Sequence, residues 1–233
     1  MSRSRNRTQC APGLRTPRGL DRNDILKAAF DLMSEQGETG FSVRKLGAKI
    51  GCDPMTVLHH FRSKNDLMRE IAERALTSVT FPPPSGNWKT DLRKIAYAYR
   101  DLAHRHPRLF HLHFRFHATG PMDHASSEVV YRALLQGGMS KSKAAGMGLA
   151  FYAFVLGFAL AEIEGLLLPL NAQEEQELAA LDGEAFPATL SLIPAFKALD
   201  PDAAFASAVA AFIDGVAAQA PDRVGRPERA RNV

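Results

Sequence analysis

From Pro54 to Phe61 the chain reads PMTVLHHF, a stretch with no Lys, Arg, Asp or Glu. Thr56 and His59 carry hydrogen-bonding groups suited to base edges in a DNA groove. Met55 and Leu58 offer apolar contact of the kind a thymine methyl takes. Cations stand on both sides, Arg44 and Lys45 before the stretch and Arg62 and Lys64 after it. That division of labour fits a duplex, because phosphate contacts set affinity and register while base edges set sequence choice. Ser42 and Ser63 each precede a helical run, and a helix N-terminus presents unpaired N–H groups to a phosphate.

A second group of reactive side chains lies further on. Of the chain's 8 histidines, His104, His106, His111, His113, His117 and His124 fall in one short span. His113 and His117 are four apart, a spacing that can chelate a transition metal. No Cys or carboxylate is in register with them, and Phe110, Phe114 and Phe116 interleave. The expected role is therefore that of histidines partly exposed or lining a ligand cavity, with no metal and no cofactor. Residues 97–117 and 151–162 mix aromatics with a few polar groups, as an apolar ligand cavity does. The expected effector pocket comprises Tyr97, His113, Phe114, His117, Phe151, Tyr152, Phe154 and Glu162. The chain lacks G-x-S-x-G, H-E-x-x-H, a phosphate-binding glycine loop and a dinucleotide fingerprint, so no enzyme is expected.

These side chains must be positioned by helices. Ile25, Ala29, Leu32 and Met33 form one apolar stripe of helical period, and Val43, Leu46 and Ile50 form a second after Ser42. Gly51 ends the second helix and Asp53-Pro54 opens a third that stops near Phe61. Ser63 and Asp66 have capping-box spacing and open a fourth, running to about Val79. PPPSG, Pro82 to Gly86, marks a boundary. Beyond it Trp88–Arg105, Arg108–His117, Asp123–Leu135 and Ser142–Leu168 read as helices, followed by a short acidic one around 173–181. Asp200-Pro201 launches a last helix, with Phe205, Val209, Phe212 and Val216 on one side. No segment alternates with period two, so the fold class is all-α. The domains expected are a disordered basic arm (1–20), a three-helix helix-turn-helix unit (21–80), an effector-binding and dimerisation domain (87–220) and a disordered tail (221–233).

The bulk numbers agree with this division. Apolar residues make up 45% of the 233, enough for a sizeable core, and the formal charge is +4. The basic excess belongs to residues 1–80, with 14 Lys and Arg against 9 Asp and Glu, which points to an anionic partner. Cys10 and Cys52 form no CxxC pair, and a reducing cytoplasm is expected. The first residues have no apolar core of a secretory signal. Ala144 to Ala161 carries no charge and sits at the lower length limit of a membrane span, but its glycines suit a helix buried in a bundle, so no membrane is expected.

The segment FSVRKLGAKIGCDPMTVLHHFRSKNDL resembles the N-terminal domain of the TetR family of transcriptional regulators. The resemblance runs from Asp21 to Leu76. GFALAEIEGLL and DPDAAFASAVAAFIDGV are similar to the tetracycline-repressor type of C-terminal domain. The resemblance implies that Thr56, His59 and His60 touch bases or phosphates and that Ser42 and Lys64 meet the phosphate backbone. Leu58 departs from the family, which commonly has a phosphate-bonding Tyr there. No tetracycline is expected, since the polar residues that hold that drug as a magnesium chelate have no assignable counterparts. The implied molecule is a ligand-responsive homodimeric repressor of a palindromic operator in double-stranded DNA, released by a small-molecule effector. The dimer interface is expected to use Met147, Phe151, Phe158, Phe205 and Phe212, with Ala144, Gly148, Ala159 and Ala208 permitting close approach. The alternative is a small-molecule or metal carrier with a vestigial DNA-binding head.

Overall fold

The computed structural model describes residues 21–219 apart from 82, 118 and 119. The arm at 1–20, with Arg3, Arg5, Arg7, Arg15, Arg18 and Cys10, and the tail at 221–233 lie outside these residues. Among the described residues every regular element is a helix.

The first four helices are α1 (Arg22–Gly40), α2 (Val43–Ile50), α3 (Pro54–Phe61) and α4 (Lys64–Leu76). Their starts are fixed by side chains. Asp21 accepts from the Asp24 N–H, Ser42 from Lys45, Asp53 from Met55 and Ser63 from Asp66, each satisfying a donor the helix leaves unpaired. The Ser63 cap is only half of a capping box. Its hydroxyl donates to the Asp66 carboxylate, while the Ser63 N–H turns back to the Phe61 carbonyl. Arg62, between them, has φ 54° and ψ −45°, a tight γ-turn that a side chain adopts at a cost. Ile25, Ala29, Leu46, Val57, Phe61 and Leu67 converge on a first core.

The second unit contains α5 (Trp88–Arg105), α6 (Pro107–Phe110), α7 (Leu112–Arg115), α8 (Pro121–Gln136), α9 (Lys141–Ile163), α10 (Ala172–Ala179), α11 (Pro187–Ser191), α12 (Ile193–Lys197) and α13 (Pro201–Gln219). Leu92, Ile95, Ala96, Tyr99, Leu102 and Ala103 make the inward stripe of α5, against Val130 and Leu134 of α8, Phe151 and Val155 of α9, and Phe205 and Val209 of α13.

Three features differ from the sequence expectation. The helix expected over 108–117 is two short pieces joined at His111. The break lets Leu109 and Leu112 enter the first core while Phe110 enters the second. Second, α9 stops at Ile163, because Gly165 takes φ 91°, although GLLLPL keeps the apolar pattern going. Leu166 and Leu168 are exposed. Third, Pro187 and Pro194 begin the short helices α11 and α12, the first-turn position that proline tolerates. Residues of α10 to α12 enter neither core.

By length and apolarity α9 and α13 could each cross a membrane, but here they build the second core. Each keeps an uncovered apolar side. A side chain added at Gly146, Gly157 or Gly215 would meet nothing within 4 Å.

Candidate functional site

The first candidate site is the outer face of α3. Val57 and Phe61 are buried beneath it, while Met55 is 68% exposed and His59 is exposed beside it. Thr56, Leu58 and His60 are half-buried. The turn before α3 has no slack. Gly51 holds φ 73°, and the Cys52 N–H returns to the Gly47 carbonyl at 2.9 Å. Ser42 is half-buried at the α2 start and Lys64 exposed at the α4 start. The cations near α3 divide into two sets. Lys45 donates to the Gly40 carbonyl at 2.7 Å and so holds the end of α1. Lys49 pairs with Glu35, and Arg22 with Glu70 over the Phe61 ring. Arg44 and Arg62 are exposed and have no ion pair among the described residues. The Lys64 ammonium stands 5.9 Å from the Phe41 ring centroid. This leaves Arg44, Arg62 and Lys64 for an external anion.

The second candidate site is a cavity of about 450 Å³ in the C-terminal unit. Tyr99 of α5 forms its floor. His113 and Phe114 of α7, with Phe116 and His117 just after it, form one wall. Asp123, His124, Ser127 and Tyr131 of α8 form another, and Leu149, Tyr152, Ala153 and Leu156 of α9 close the ring. The Tyr131 ring reaches this position because α9 has glycine opposite. A Cβ on Gly148 would come within 2.4 Å of the ring.

The polar groups of the cavity are of two kinds. The Ser126 hydroxyl donates to the Asp123 carbonyl at 2.9 Å. It therefore accepts from both tyrosine hydroxyls, Tyr99 at 2.8 Å and Tyr152 at 3.1 Å, since a hydroxyl has one proton to give. Burial pushes the Tyr152 hydroxyl up to about 12 and raises that of Tyr99 as well, so both remain neutral donors. His113 is different. It is 7% exposed, its Nε2 is buried, and no described residue bonds that atom. Burial, with help from the charges of His106 and His111, lowers its pKa to about 4. The ring is neutral at pH 7.

Four of the expected pocket residues line this cavity: His113, Phe114, His117 and Tyr152. The other four do not. Phe151 is fully buried, its ring set against Tyr152 and Phe212. Phe154 stacks on Phe212 with centroids 5.2 Å apart. Tyr97 and Glu162 border a separate cleft with Arg100, Asp101, His104 and Asp202. There Arg100 donates to both Glu162 oxygens, at 2.7 and 2.5 Å, and reaches Asp202 at 2.6 Å. Missed by the sequence reading were Tyr99 and the α8 wall. Tyr99 continues the α5 stripe of Leu92, Ile95 and Ala96, whereas Tyr97 is two positions off it. Asp123, Ser127 and Tyr131 are four apart, one face of α8.

Two expected dimer residues also need correction. Phe151 and Phe205 are both fully buried within the subunit; Phe205 is covered by Tyr97, Phe158 and Arg100. Ala144, Gly148 and Ala159 likewise face the subunit's own core. Met147, Phe158 and Phe212 are half-buried at the edge of the uncovered sides, as is Ala208.

The cavity wall and the α3 unit share a connection. Arg108 donates to the Ser34 carbonyl of α1 at 3.2 Å and to that of Glu35. His111 and Arg115 hold the Glu38 carboxylate of α1 at 2.8 and 2.7 Å. Burial raises the Glu38 pKa, but these two partners outweigh it and leave it below the usual range. On the other side, Glu73 of α4 accepts from the Met122 N–H in the first turn of α8. A Cβ on Gly120 would lie 2.7 Å from that carboxylate. No three His, Cys, Asp or Glu side chains among the described residues gather as a metal ion requires.

Comparison with known proteins agrees with this two-part layout. Residues 25–71 match the family model for bacterial regulatory proteins of the tetR family, and residues 80–220 match the tetracyclin repressor-like C-terminal domain. The class A tetracycline repressor from transposon 1721 of Escherichia coli is 29% identical over 203 residues, 85% of this chain and 91% of that protein. The class C repressor of Escherichia coli is 26% identical over 204 residues, 84% of this chain and 90% of that protein. Among solved structures, the Streptomyces coelicolor TetR family protein ActR in complex with (S)-DNPA superposes with a TM-score of 0.76 at 23% identity, covering 87% of this chain and 99% of that one. A further ActR structure, with a TM-score of 0.76 at 22% identity over 87% of this chain and 99% of that one, is a complex with actinorhodin.

Proposed function

The chain belongs to the TetR family of bacterial transcriptional regulators, and on that premise we propose that it is a cytoplasmic homodimeric repressor that leaves a palindromic operator when a small molecule fills the cavity between α5, α7, α8 and α9. The observation that carries the DNA half is the outward face of α3. It offers Met55, Thr56 and His59, while Arg44, Arg62 and Lys64 and the capped starts of α2 and α4 supply the attraction for phosphates. Ser42, Leu58 and His60 complete the contact set, with Leu58 limited to apolar contact. The dimer half rests on the uncovered sides of α9 and α13. Met147, Phe158 and Phe212 border them, and glycines there leave room for a second copy's helices. Two reading heads held one helical turn of DNA apart, or a multiple of it, require a palindrome.

Release follows from the shared segment. One side of α6–α7 lines the cavity through His113 and Phe114, and the other grips α1 through Arg108, His111 and Arg115. A ligand that pushes on this segment moves the head, provided it favours the displaced form. Such coupling is commonly about 1–3 kcal/mol. The ActR complexes with (S)-DNPA and with actinorhodin lend this reading support, since their fold is shared and each holds a ligand.

Selection from a random duplex pool tests the DNA half. A two-fold symmetric sequence should emerge, with affinity falling steeply as salt rises. On the selected operator, Lys64→Ala should weaken binding to all sequences alike and reduce the salt slope by about 1 per head. His59→Ala should cost about 1–3 kcal/mol and relax preference at one base position in each half-site. A folded protein that enriches no palindrome and binds duplex without salt dependence would instead be a carrier with a vestigial head.

A further inference from the structure

We infer that the cavity selects an uncharged, flat aromatic molecule bearing a hydroxyl group, and that His113 is the residue that reads the hydroxyl. This rests on the effector reading above and adds the chemistry of the ligand.

Three observations point the same way. The walls are ring faces and aliphatic side chains, Phe114, Phe116, Tyr131, Leu149 and Leu156, which favour an aromatic body through offset and edge contacts. Among the described residues the lining holds no Lys or Arg, and its carboxylate belongs to Asp123. An anionic ligand would lose its hydration without gaining a counter-charge and would face that carboxylate. A cation fares no better at the inner end, where burial, and after it the charges of His106 and His111, disfavour positive charge on the ring of His113.

The third observation is the orphaned Nε2 of His113. Buried polar atoms are almost always bonded, and an unbonded one costs free energy until a partner arrives. Which ring nitrogen carries the proton is set by the tautomer. A ligand carbonyl answers only the N–H form and an amide N–H only the lone-pair form. A hydroxyl answers both, because it donates and accepts. Tyr99 and Tyr152 already bond Ser126, so among the described residues the buried polar atom of the wall left without a partner is the His113 Nε2.

The test uses the full chain and three probes on one skeleton at pH 7: 2-naphthol, naphthalene and 2-naphthoate. Binding is read by fluorescence titration, and the fraction bound to the selected operator is measured in the same samples. In the native protein 2-naphthol should bind about tenfold more tightly than naphthalene, and 2-naphthoate no more tightly than naphthalene. His113→Leu should shrink the hydroxyl preference to less than about twofold while naphthalene still binds; His113→Gln, which keeps a hydrogen-bonding group, should retain most of it. Ala153→Trp, which fills the cavity from the α9 wall, should abolish binding of 2-naphthol. The inference is overturned if 2-naphthoate binds best, if the hydroxyl preference survives His113→Leu, or if no probe binds. The effector reading fails separately. Were 2-naphthol to bind in the manner described yet leave the operator-bound fraction unchanged, the ligand class would stand and the release mechanism would fall. Were operator released equally by all three probes, the mechanism would stand and the selectivity would fall.

Discussion

Arg100→Met is expected to lower the unfolding free energy by about 3–5 kcal/mol at neutral pH, equivalent to roughly 6–20 °C in the midpoint of thermal unfolding for a chain of this size. Arg100 and Glu162 have 11% and 7% of their side-chain surface exposed, and the guanidinium fork meets both carboxylate oxygens. It also lies 4.9 Å from the centroid of the Phe205 ring, so one side chain binds α5 to α9 and α13. Methionine keeps the stem's packing and removes the charge, which leaves Glu162 buried with only His104, at 3.1 Å, beside it. The sign of the pH dependence separates this from a packing effect. The hydrogen bond from Arg100 is the main cause of the lowered Glu162 pKa. In the native protein the pair therefore stabilises above the ordinary carboxylate pKa and is lost as pH falls through the lowered folded value. In the variant, burial raises Glu162 instead, so acidification toward pH 4 neutralises the orphaned charge and relieves the damage. The gap between native and variant should be widest at pH 7 and narrow toward pH 4. A gap below about 1 kcal/mol, or one independent of pH, would show that the pair stabilises no more than a surface pair does. The double variant Arg100→Met, Glu162→Leu should recover most of the loss, because two apolar groups leave no buried charge.

The same residues show what sequence alone can and cannot give. Ser42, Gly51, Asp53-Pro54 and Ser63 are local signals whose meaning depends on a few neighbouring residues, and all mark helix boundaries in the structure. The recognition face follows from Val57 and Phe61, because a two-turn helix with two buried positions has only one outer side. In α9 that logic has no purchase. The helix is apolar all round, so nothing in its own sequence says that Tyr152 and Leu156 face the cavity while Phe151 faces the core. The facing is decided by α8 and α5, far away in the chain. Glu162 reads as a polar group for a ligand until Arg100, on another helix, is seen to hold it. Lys45 reads as a cation for phosphate until the Gly40 carbonyl is seen beside it. Side chains that answer to their own helix were legible; side chains whose partner lies across the fold were not. The divided helix α6–α7 is the clearest instance. Its period alone suggests one continuous helix. Only the demand that Leu109 and Leu112 go one way and Phe110 the other breaks it, and that demand comes from the packing of two cores.

Gly47 packs α2 against the backbone of the turn that leads into α3, and Gly47→Val should reduce specific operator binding by at least about 100-fold, the loss of one or two base contacts worth about 1–3 kcal/mol each in each head. Even a Cβ there would stand 2.7 Å from the Cys52 carbonyl oxygen and 3.3 Å from the Pro54 nitrogen. Those atoms are backbone and cannot swing aside as a side chain can. Valine adds two methyls beyond the Cβ, so the turn must open and α3 must move against α2. The charges of Arg44, Arg62 and Lys64 are unaltered by the substitution, and phosphate attraction does not depend on the angle of α3. Binding to random duplex should therefore persist, with its salt dependence, while the ratio of operator to random binding collapses. Dimer mass and 2-naphthol binding should also remain, since both rest on the second core. Gly51→Ala provides the contrast. Gly51 holds φ 73°, yet nothing lies within 4 Å of an added Cβ, so the cost is the backbone's own, about 1 kcal/mol, and operator preference should survive. If Gly47→Val kept the operator within about threefold of native affinity, or if Gly51→Ala proved the more damaging change, the angle between α2 and α3 would not be what positions Thr56 and His59.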